Sequence, residues 1–495
     1  MTKSKKTFRP KARKPRGFND RFGAELAAER AMLSRITAVY ERFGFDPLET
    51  PAFEYTDVLG KFLPDVDRPN AGVFSLTDDD EQWMSLRYDL TAPLARYVAE
   101  HYDALPKPFR RFAVGPVWRN EKPGPGRFRQ FTQCDADVVG APAPHADVEA
   151  LMILAEAVEA AGVARGDYIL RLNDRTVLTG LLETVGVDEE RDADKKLGIL
   201  RAMDKLDRLG TDGVAALLGE GRKDESGDYT DGAKLDDVSI ARVMDFMAAT
   251  KDTNGATCDA LADLIGGTQA GATGVETLSR MAASLSALGY DETIAKIDLS
   301  VIRGLEYYTG PVFEAELIGA LTDAKGRPVR IGSVASGGRY DDLVKRFKGV
   351  AVPAVGLSVG VSRLLAAQEL LSNAPPPDGP VVILALEDER MDDYQAMARA
   401  LRAAGVRAEV YLGGSGMRAQ MKYADKRGAP VAVIQGEDER ARGEITVKDL
   451  KLGAELAQSI EDNAEWREGQ PAQIAVAKDR LVDAVRDVLA RRRPS

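Results

Sequence analysis

Residues 109–137 read FRRFAVGPVWRNEKPGPGRFRQFTQCDAD and contain the pattern on which the fold prediction depends. Residues 109–118 are rich in β-forming residues. Residues 120–126 hold two prolines and two glycines, and residues 127–139 are again β-prone. This order predicts two strands joined by a turn.

Alternation along the second strand predicts two different faces. One face carries Arg127, Arg129, Phe131, Gln133, Asp135 and Asp137, and the other carries Phe128, Thr132, Cys134, Ala136 and Val138. The second set suits a packed core, whereas the first suggests the floor of a binding site. From Phe131 to Asp137 the strand rises roughly 20 Å, the length of an extended nucleotide joined to an amino acid. The alternative is a solvated outer face of an antiparallel sheet.

The composition limits the possible classes of protein. A chain of 495 residues predicts two to four domains, and no apolar run approaches the ~20 residues that cross a bilayer. The two cysteines, Cys134 and Cys258, are far apart, which argues against a disulfide framework and fits a reducing cytosol. The only histidines, His101 and His145, are too few for a histidine-rich metal centre and make a Ser/His/Asp triad improbable.

Charge is unevenly distributed along the chain. The net charge of −11 argues against a protein that coats nucleic acid non-specifically. Residues 1–16 nevertheless carry eight Lys or Arg side chains before any acid. This basic N-terminal arm is either a solubilising tail or an RNA-contacting segment.

The N-terminal third outside the hairpin alternates helices and strands. Helical periodicity predicts a helix over residues 25–43 and an edge strand over residues 45–53, a pairing typical of a subunit interface or a plain domain edge. A hairpin over residues 73–86 runs into LRYDLT, residues 86–91. Asp89 and Thr91 could receive an ammonium group, or could simply cap the helix predicted over residues 92–101.

The middle of the chain changes character twice. After a helix over residues 146–161, residues 179–290 are alanine-rich and aromatic-poor, which predicts a mainly helical insertion. Strand composition returns at residues 296–317, where the adjacent Tyr307 and Tyr308 face opposite ways.

The glycine pair of VASGGRY, residues 334–340, allows the backbone to lie close to a ligand. A strand entering a helix at residues 355–363 places Arg363 where polyphosphate can bind.

Residues 375–379, PPPDG, form a linker. Strands predicted over residues 381–386, 406–412, 431–435 and 444–449 alternate with helices. This pattern predicts an α/β domain with a mostly parallel sheet.

Taken together, these stretches resemble the histidyl-tRNA synthetase family of class II aminoacyl-tRNA synthetases. The 25–51 segment, the 119–137 hairpin and the 356–363 segment are similar to class II motifs 1, 2 and 3. RGLEYYTG at 303–310 and SGGRYDD at 336–342 look like the two stretches peculiar to the histidine enzymes, and LRYDLT like the amino-acid-binding loop.

The resemblance implies an α+β catalytic domain on an antiparallel sheet over residues 17–372, with the helical insertion at about 179–290. It also implies an anticodon-binding α/β domain over residues 380–495. The implied activity joins L-histidine to ATP as histidyl-adenylate and transfers histidine to the 3′ end of tRNA(His). The implied protein is a cytoplasmic homodimer that uses ATP and Mg²⁺.

The resemblance also implies roles for individual residues. Arg119 and Arg303 would stabilise charge at the α-phosphate, and Arg363 would hold the γ-phosphate. The adenine end would comprise Phe131, Arg127 and Glu121. The α-amino end would comprise Asp89, Leu90, Thr91 and Gln133. Asp137 would accept a hydrogen bond from the imidazole N–H, while Tyr308, in preference to Tyr307, would meet the other ring nitrogen.

Some positions depart from the commoner family pattern. Asp89 and Asp137 stand where many bacterial members have glutamate, and Glu306 where aspartate is usual. Each change keeps the charge, which indicates a subfamily variant. Ser362, in place of a more usual acidic residue, weakens only the motif 3 match.

Three other interpretations remain open at this point. The first is a non-catalytic, synthetase-like subunit that senses histidine, although such proteins typically lack the anticodon domain and the catalytic arginines. The second is a class II synthetase for proline, threonine or glycine, against which the 303–310 and 336–342 stretches argue. The third is an RNA-binding module without catalysis.

Overall fold

The computed structural model describes residues 10–59, 72–124, 128–188, 191–223, 229–302, 308–319, 321–322, 327–329, 331–371, 378–453 and 472–491. The chain divides into two compact units, Met1–Asn373 and Ala374–Ser495. Most of the basic N-terminal arm lies outside the described residues.

The helices of the first unit include those predicted individually near its N-terminus, several within the region predicted only as mainly helical, and the short helix Lys345–Lys348, which was not predicted. They are α1 (Ala24–Arg42), α2 (Thr91–Glu100), α3 (His145–Ala160), α4 (Arg175–Thr184), α5 (Ala193–Met203), α6 (Leu206–Leu218), α7 (Asp237–Met247), α8 (Asn254–Ile265), α9 (Gln269–Ala287), α10 (Lys345–Lys348) and α11 (Val361–Leu371). Helices α4–α9 form the helical segment between two strands of the main sheet, interrupted by one small hairpin. Side chains of Asp174, Asp236, Thr253 and Thr268 cap four of these helices by accepting a backbone N–H.

The strands of the first unit are shorter and more numerous than the sequence predicts. They are β1 (Asp46–Pro47), β2 (Phe53–Tyr55), β3 (Ser75–Thr77), β4 (Trp83–Leu86), β5 (Phe109–Trp118), β6 (Gln130–Val139), β7 (Tyr168–Asp174), β8 (Gly221–Lys223), β9 (Tyr229–Asp231), β10 (Ala295–Ile297), β11 (Pro311–Leu317), β12 (Leu321–Thr322), β13 (Pro328–Val329), β14 (Ser333–Arg339) and β15 (Ala354–Val359). The prediction of a single strand over residues 45–53 is wrong. This segment forms two short strands in different sheets, because Pro47 and Pro51 have no N–H group to donate to a continuous ladder of backbone hydrogen bonds.

An eight-stranded sheet organises this unit, with the strand order β1-β5-β6-β15-β14-β11-β7-β10. The six central strands pair antiparallel, and only β1 and β10 at the two edges pair parallel. Helices α1 and α3 pack together over one face of the sheet. Cys134, Ala136 and Val138 of β6 are buried in that core, as alternation predicts. Phe128 does not join them and is 45% exposed, because it precedes the first residue of β6.

The second unit contains β16 (Val381–Ile383), α12 (Met391–Ala403), β17 (Ala408–Val410), α13 (Met417–Lys426), β18 (Val431–Ile434), α14 (Glu437–Ala441), β19 (Glu444–Asp449), β20 (Gln473–Ala477) and α15 (Leu481–Ala490). Its sheet has the order β17-β16-β18-β19-β20. Strands β16, β17 and β18 are parallel, whereas β19 pairs antiparallel with both of its neighbours. Four of the five strands therefore point the same way, and β20 is a strand that the sequence analysis did not predict.

Candidate active site

The register of the β5–β6 hairpin places two arginines of the first strand and its end on the same face of the sheet as the polar side chains of β6. Trp118 pairs with Gln130 and Phe109 with Val139, and the Arg119 N–H donates to the Arg129 carbonyl at 2.9 Å. Directly opposed residues share a face of an antiparallel pair. Arg119 therefore lies at the Phe131 end of the polar face, and Arg111, opposite Asp137, lies at the other end.

The polar face of β6 is buried rather than solvated. Asp135 and Asp137 are each only 2% exposed, and Arg111 is 1% exposed. Buried charges require partners or a ligand, since their removal from water is costly. The alternative of a solvated outer face is therefore wrong for this part of the hairpin.

The 86–91 loop is attached to β5 by arginine side chains. Arg119 Nε donates to the Tyr88 carbonyl at 3.2 Å, and Arg111 Nη2 donates to the Leu90 carbonyl at 2.9 Å. The two arginines at the ends of the polar face thus hold both sides of Asp89. This contact brings the predicted amino-acid-binding loop to the hairpin.

Asp89 both caps a helix and faces the cluster of charges. Its Oδ1 accepts hydrogen bonds from the backbone N–H groups of Thr91 at 3.2 Å and Ala92 at 2.9 Å. The predicted capping of the helix by Asp89 is therefore confirmed for this oxygen. Burial raises the pKa of Asp89, while the Ala92 N–H and the positive charge of Arg119 oppose the rise. Helix capping and a role in the site are therefore compatible.

Asp137 is held by groups from two distant segments. The Tyr340 hydroxyl donates to its Oδ1, and Arg111 Nη2 lies 2.8 Å from its Oδ2. Burial raises the pKa of Asp137, and Arg111 and Tyr340 oppose the rise. A Cβ on Gly356, which pairs with Asp137 across the sheet, would overlap this carboxyl group. A glycine is therefore required there.

Tyr308 lies on the same face of the sheet as Asp137, because Gly338 is opposite Gly356, and Gly356 is opposite Asp137. Its ring lies against Gly338 of β14, where an added Cβ would approach the ring to 2.7 Å. Burial raises the pKa of Tyr308, and the negative charges of Asp135, Asp137 and Asp89 add to the rise, in that order. Tyr308 therefore interacts electrostatically with all three carboxyl groups.

The opposite end of the polar face carries Phe131. The Arg119 guanidinium lies 5.0 Å from the centre of its ring. Because β15 runs antiparallel to β6, helix α11 starts at this end of the sheet, and its Arg363 donates to the Ser333 carbonyl at 2.6 Å. Glu121 is exposed in the turn of the hairpin, where its carbonyl accepts a hydrogen bond from Arg129.

Three predicted site residues, Arg127, Arg303 and Tyr307, lie outside the described residues. Their predicted roles stay predictions. In the described part of the chain, no group of three or more His, Cys, Asp or Glu side chains could hold a metal ion. No helix there is long and apolar enough to cross a membrane.

Sequence reasoning missed three residues of the cluster. Asp135 was placed on the polar face without a role, and Tyr340 was noted only as part of SGGRYDD. Arg111 was missed because alternation was applied only to the second strand of the hairpin. The same alternation along the first strand, from Arg119 back through Val117, Gly115 and Ala113, leads to Arg111.

Two family profiles match the chain. One described as "Histidyl-tRNA synthetase" matches residues 17–364, and one described as "Anticodon binding domain" matches residues 380–468. The chain is 55% identical to a histidine–tRNA ligase of Caulobacter vibrioides over 97% of each chain. It is 56% identical to one of Dinoroseobacter shibae over 99% of this chain and 100% of that one.

Solved structures share this fold. Histidyl-tRNA synthetase from Nostoc sp. PCC 7120 aligns with a TM-score of 0.74 and 29% identity over 98% of this chain and 100% of that chain. An ATP phosphoribosyltransferase regulatory subunit/histidyl-tRNA synthetase from Bacillus halodurans C aligns with a TM-score of 0.65 over 84% of this chain and 97% of that one. At 24% identity this second likeness shows the fold alone.

Proposed function

Because the chain belongs to the histidyl-tRNA synthetase family, we propose that the polar face of β6 holds histidine and ATP end to end. The function is that of a histidine–tRNA ligase, which activates L-histidine with ATP and transfers it to tRNA. The identity of 55% to a ligase over nearly the whole chain carries this conclusion. The alternative of a histidine-sensing regulatory subunit is not favoured, since the chain keeps Arg119 and Arg363 and a second domain.

The nucleotide would lie at the Arg119 end of the site. In-line displacement at the α-phosphate needs positioning and positive charge on the phosphoryl oxygens. We assign that charge to Arg119, supported by its fixed position over Phe131, and to Arg303 on the sequence match. Phe131 would stack on adenine with Arg127 and Glu121 nearby.

The remaining phosphate interactions would come from helix α11 and from the ion that accompanies ATP. Arg363, near the start of α11, would hold the γ-phosphate, as a permanently charged side chain at a helix start favours. Mg²⁺ usually binds through substrate phosphates with one or two carboxylates. We therefore propose that it enters with ATP and supplies charge neutralisation, with no protein ligand assigned.

Histidine would occupy the deeper end of the face. Asp89, Leu90, Thr91 and Gln133 would surround its α-amino group, supported by the attachment of the loop to β5. Asp137 and Tyr308 would define the ring end, with Tyr307 adjacent in the chain. Polar groups that complement both ring nitrogens reject apolar side chains of similar size.

The amino-acid specificity is directly testable by ATP–pyrophosphate exchange with each standard amino acid. Histidine alone is expected to stimulate exchange, because its ring presents one donor, which a buried carboxyl group accepts, and one acceptor, to which the Tyr308 hydroxyl can donate. Exchange with proline or threonine would contradict the specificity. No exchange by the folded protein would contradict the activity.

We also propose that the protein acts in the cytoplasm and that residues 380–495 bind the tRNA(His) anticodon. Both cysteines are free and buried, which suits a reducing compartment. The match of residues 380–468 to an anticodon-binding profile supports the second role.

A homodimer is proposed from an exposed apolar surface. On one face of the β2-β4-β3 sheet, Tyr55 and Leu76 both flank Met84, and Phe53 flanks Leu86. Phe53, Tyr55 and Leu76 are 41%, 54% and 43% exposed. A second copy could cover this apolar face by a two-fold contact, in which the same patch serves both subunits.

Tyr55→Asp is expected to shift the protein from dimer to monomer in analytical ultracentrifugation, because it places two charges in the apolar contact. Trp83→Asp is the control, since Trp83 is 47% exposed but points to the opposite face of the same sheet. A wild-type monomer, or equal dissociation of both variants, would contradict this interface.

A further inference from the structure

One carboxyl group in the histidine end of the site has no assigned role. Asp135 lies between Gln133 and Asp137 on β6 and is 2% exposed. Gln133 Nε2 lies 3.5 Å from its Oδ2 and 3.4 Å from Ser358 Oγ, and Ser358 also bonds the carboxyl group of Asp135. Its Oδ1, by contrast, is buried without a hydrogen-bond partner in the described part of the chain.

Unsatisfied buried acceptors are rare in native proteins and need an explanation. Gln133 Oε1 is a second such acceptor on the same strand face. The two atoms belong to side chains two residues apart, so a single ligand lying along β6 can reach both. A ligand that presents N–H groups at two places would satisfy them.

Asp137 is less available than Asp135 to such a ligand. Its Oδ1 already accepts a hydrogen bond from Tyr340. Its Oδ2 has no hydrogen-bond partner in the described part of the chain either, but it lies 2.8 Å from Nη2 of Arg111 and is neutralised by that guanidinium. Arg111 in turn donates to the Leu90 carbonyl. Asp137 therefore holds together the walls of the pocket, while Asp135 offers an oxygen that nothing in those walls occupies.

The neighbours of Asp135 indicate which part of histidine it meets. Charged and titratable groups surround it from β5 (Arg111), β6 (Asp137), the 86–91 loop (Asp89) and the 308–311 segment (Tyr308). Burial raises the pKa of Tyr308, and the negative charges of Asp135, Asp137 and Asp89 add to the rise, so Asp135 and Tyr308 belong to one cluster of charges. Asp135 and Tyr308 thus form an acceptor and a hydroxyl at the ring end of the site.

We propose that Asp135 is a further specificity-determining residue, whose carboxyl group accepts a hydrogen bond from the imidazole N–H of bound histidine, with Asp137 as the positioning residue behind it. The inference rests on the proposed function and deepens it. Burial and the negative charge of Asp137 raise the pKa of Asp135 to about 7, against the opposing effect of Arg111.

The test compares histidine with β-(4-thiazolyl)alanine, in which sulfur replaces one ring nitrogen and no ring N–H remains. The quantity measured is the ratio of kcat/KM for the two substrates in ATP–pyrophosphate exchange. Asp135→Asn keeps the shape but replaces the carboxyl group with an amide, whose oxygen is a weaker acceptor. We expect the ratio to fall about tenfold, almost entirely through histidine.

Asp135→Ser removes the carboxyl group and is expected to lower the ratio by about tenfold to a hundredfold. This variant decides the question if the asparagine variant does not fold. Asp174→Asn is the matched control. Asp174 is also buried, with a pKa raised to about 6 by burial, but its Oδ1 caps α4 through Thr176, so the ratio should not change.

The possible outcomes distinguish a failure of the role proposed for Asp135 from a failure of the proposed histidine–tRNA ligase activity. If both substrates lose activity equally in the Asp135 variants, the residue binds the α-ammonium group and the proposal is overturned. An unchanged ratio with unchanged activity also overturns it. If the wild-type protein shows no histidine-dependent exchange, the proposed function fails instead.

Discussion

Replacing Arg119 by alanine is expected to lower histidine-dependent ATP–pyrophosphate exchange by about 10²–10³-fold in kcat. The guanidinium is held in place before substrate binds, because its Nε donates to the Tyr88 carbonyl and its plane lies near the Phe131 ring. A fixed positive charge at the α-phosphate needs no reorganisation during the reaction. Steady-state exchange at saturating histidine and ATP measures the effect.

Arg110→Ala is the control for this prediction. Arg110 lies on β5 beside Arg111, and its partly exposed side chain points to the opposite face of the sheet, where it pairs with Glu149 of α3 at 2.5 Å. Surface pairs of this kind contribute about 0–1 kcal/mol, so exchange should stay within about twofold of wild type. An Arg119→Ala enzyme with less than about tenfold loss would show that Arg119 does not stabilise the transition state.

Replacing Arg339 by methionine is expected to reduce the free energy of unfolding of the catalytic unit by about 3–5 kcal/mol. Arg339 Nε and Nη2 donate to the two oxygens of Asp147 at 3.0 and 2.6 Å, and the residues are 3% and 0% exposed. Without Arg339, Asp147 at the start of α3 would be a buried charge without its cationic partner. Urea denaturation followed by tryptophan fluorescence measures the change.

The double variant Arg339→Met/Asp147→Leu tests the cause. Replacing both members of a buried ion pair with apolar residues is often neutral. Arg339 also pairs with the partly exposed Asp341 at 3.0 Å, and that contact is lost in both variants, so most but not all of the lost stability should return. The prediction fails if the single variant loses less than about 1 kcal/mol, or if the double variant is no more stable than the single one.

Local patterns predicted most of the elements. The hairpin, the helices α1, α3, α12 and α13, and the helical segment between β7 and β10 follow from periodicity and turn residues. Alternation also placed Cys134, Ala136 and Val138 in the core. Boundaries were less accurate near prolines, where residues 45–53 divide into β1 and β2.

Contacts between distant segments could not be predicted from local pattern. Nothing in the sequence indicates that Tyr340, 203 positions from Asp137, donates to its carboxyl group. The same holds for Arg339, whose partner Asp147 is 192 positions away. Resemblance located the SGGRYDD stretch, but only the side-chain hydrogen bonds of the structure show that Arg339 holds the sheet to α3 and that Tyr340 holds Asp137.

The strand order has a consequence for synthesis on the ribosome. Strand β6 lies between β5, its hairpin partner, and β15, which begins at Ala354. The hairpin therefore emerges with one edge unpaired and waits for more than 200 further residues, roughly 10–40 s at usual translation speeds. An open edge of this kind invites association with other chains. A nascent chain stalled before Ala354 should thus need chaperone protection most, because it carries the hairpin without its second partner.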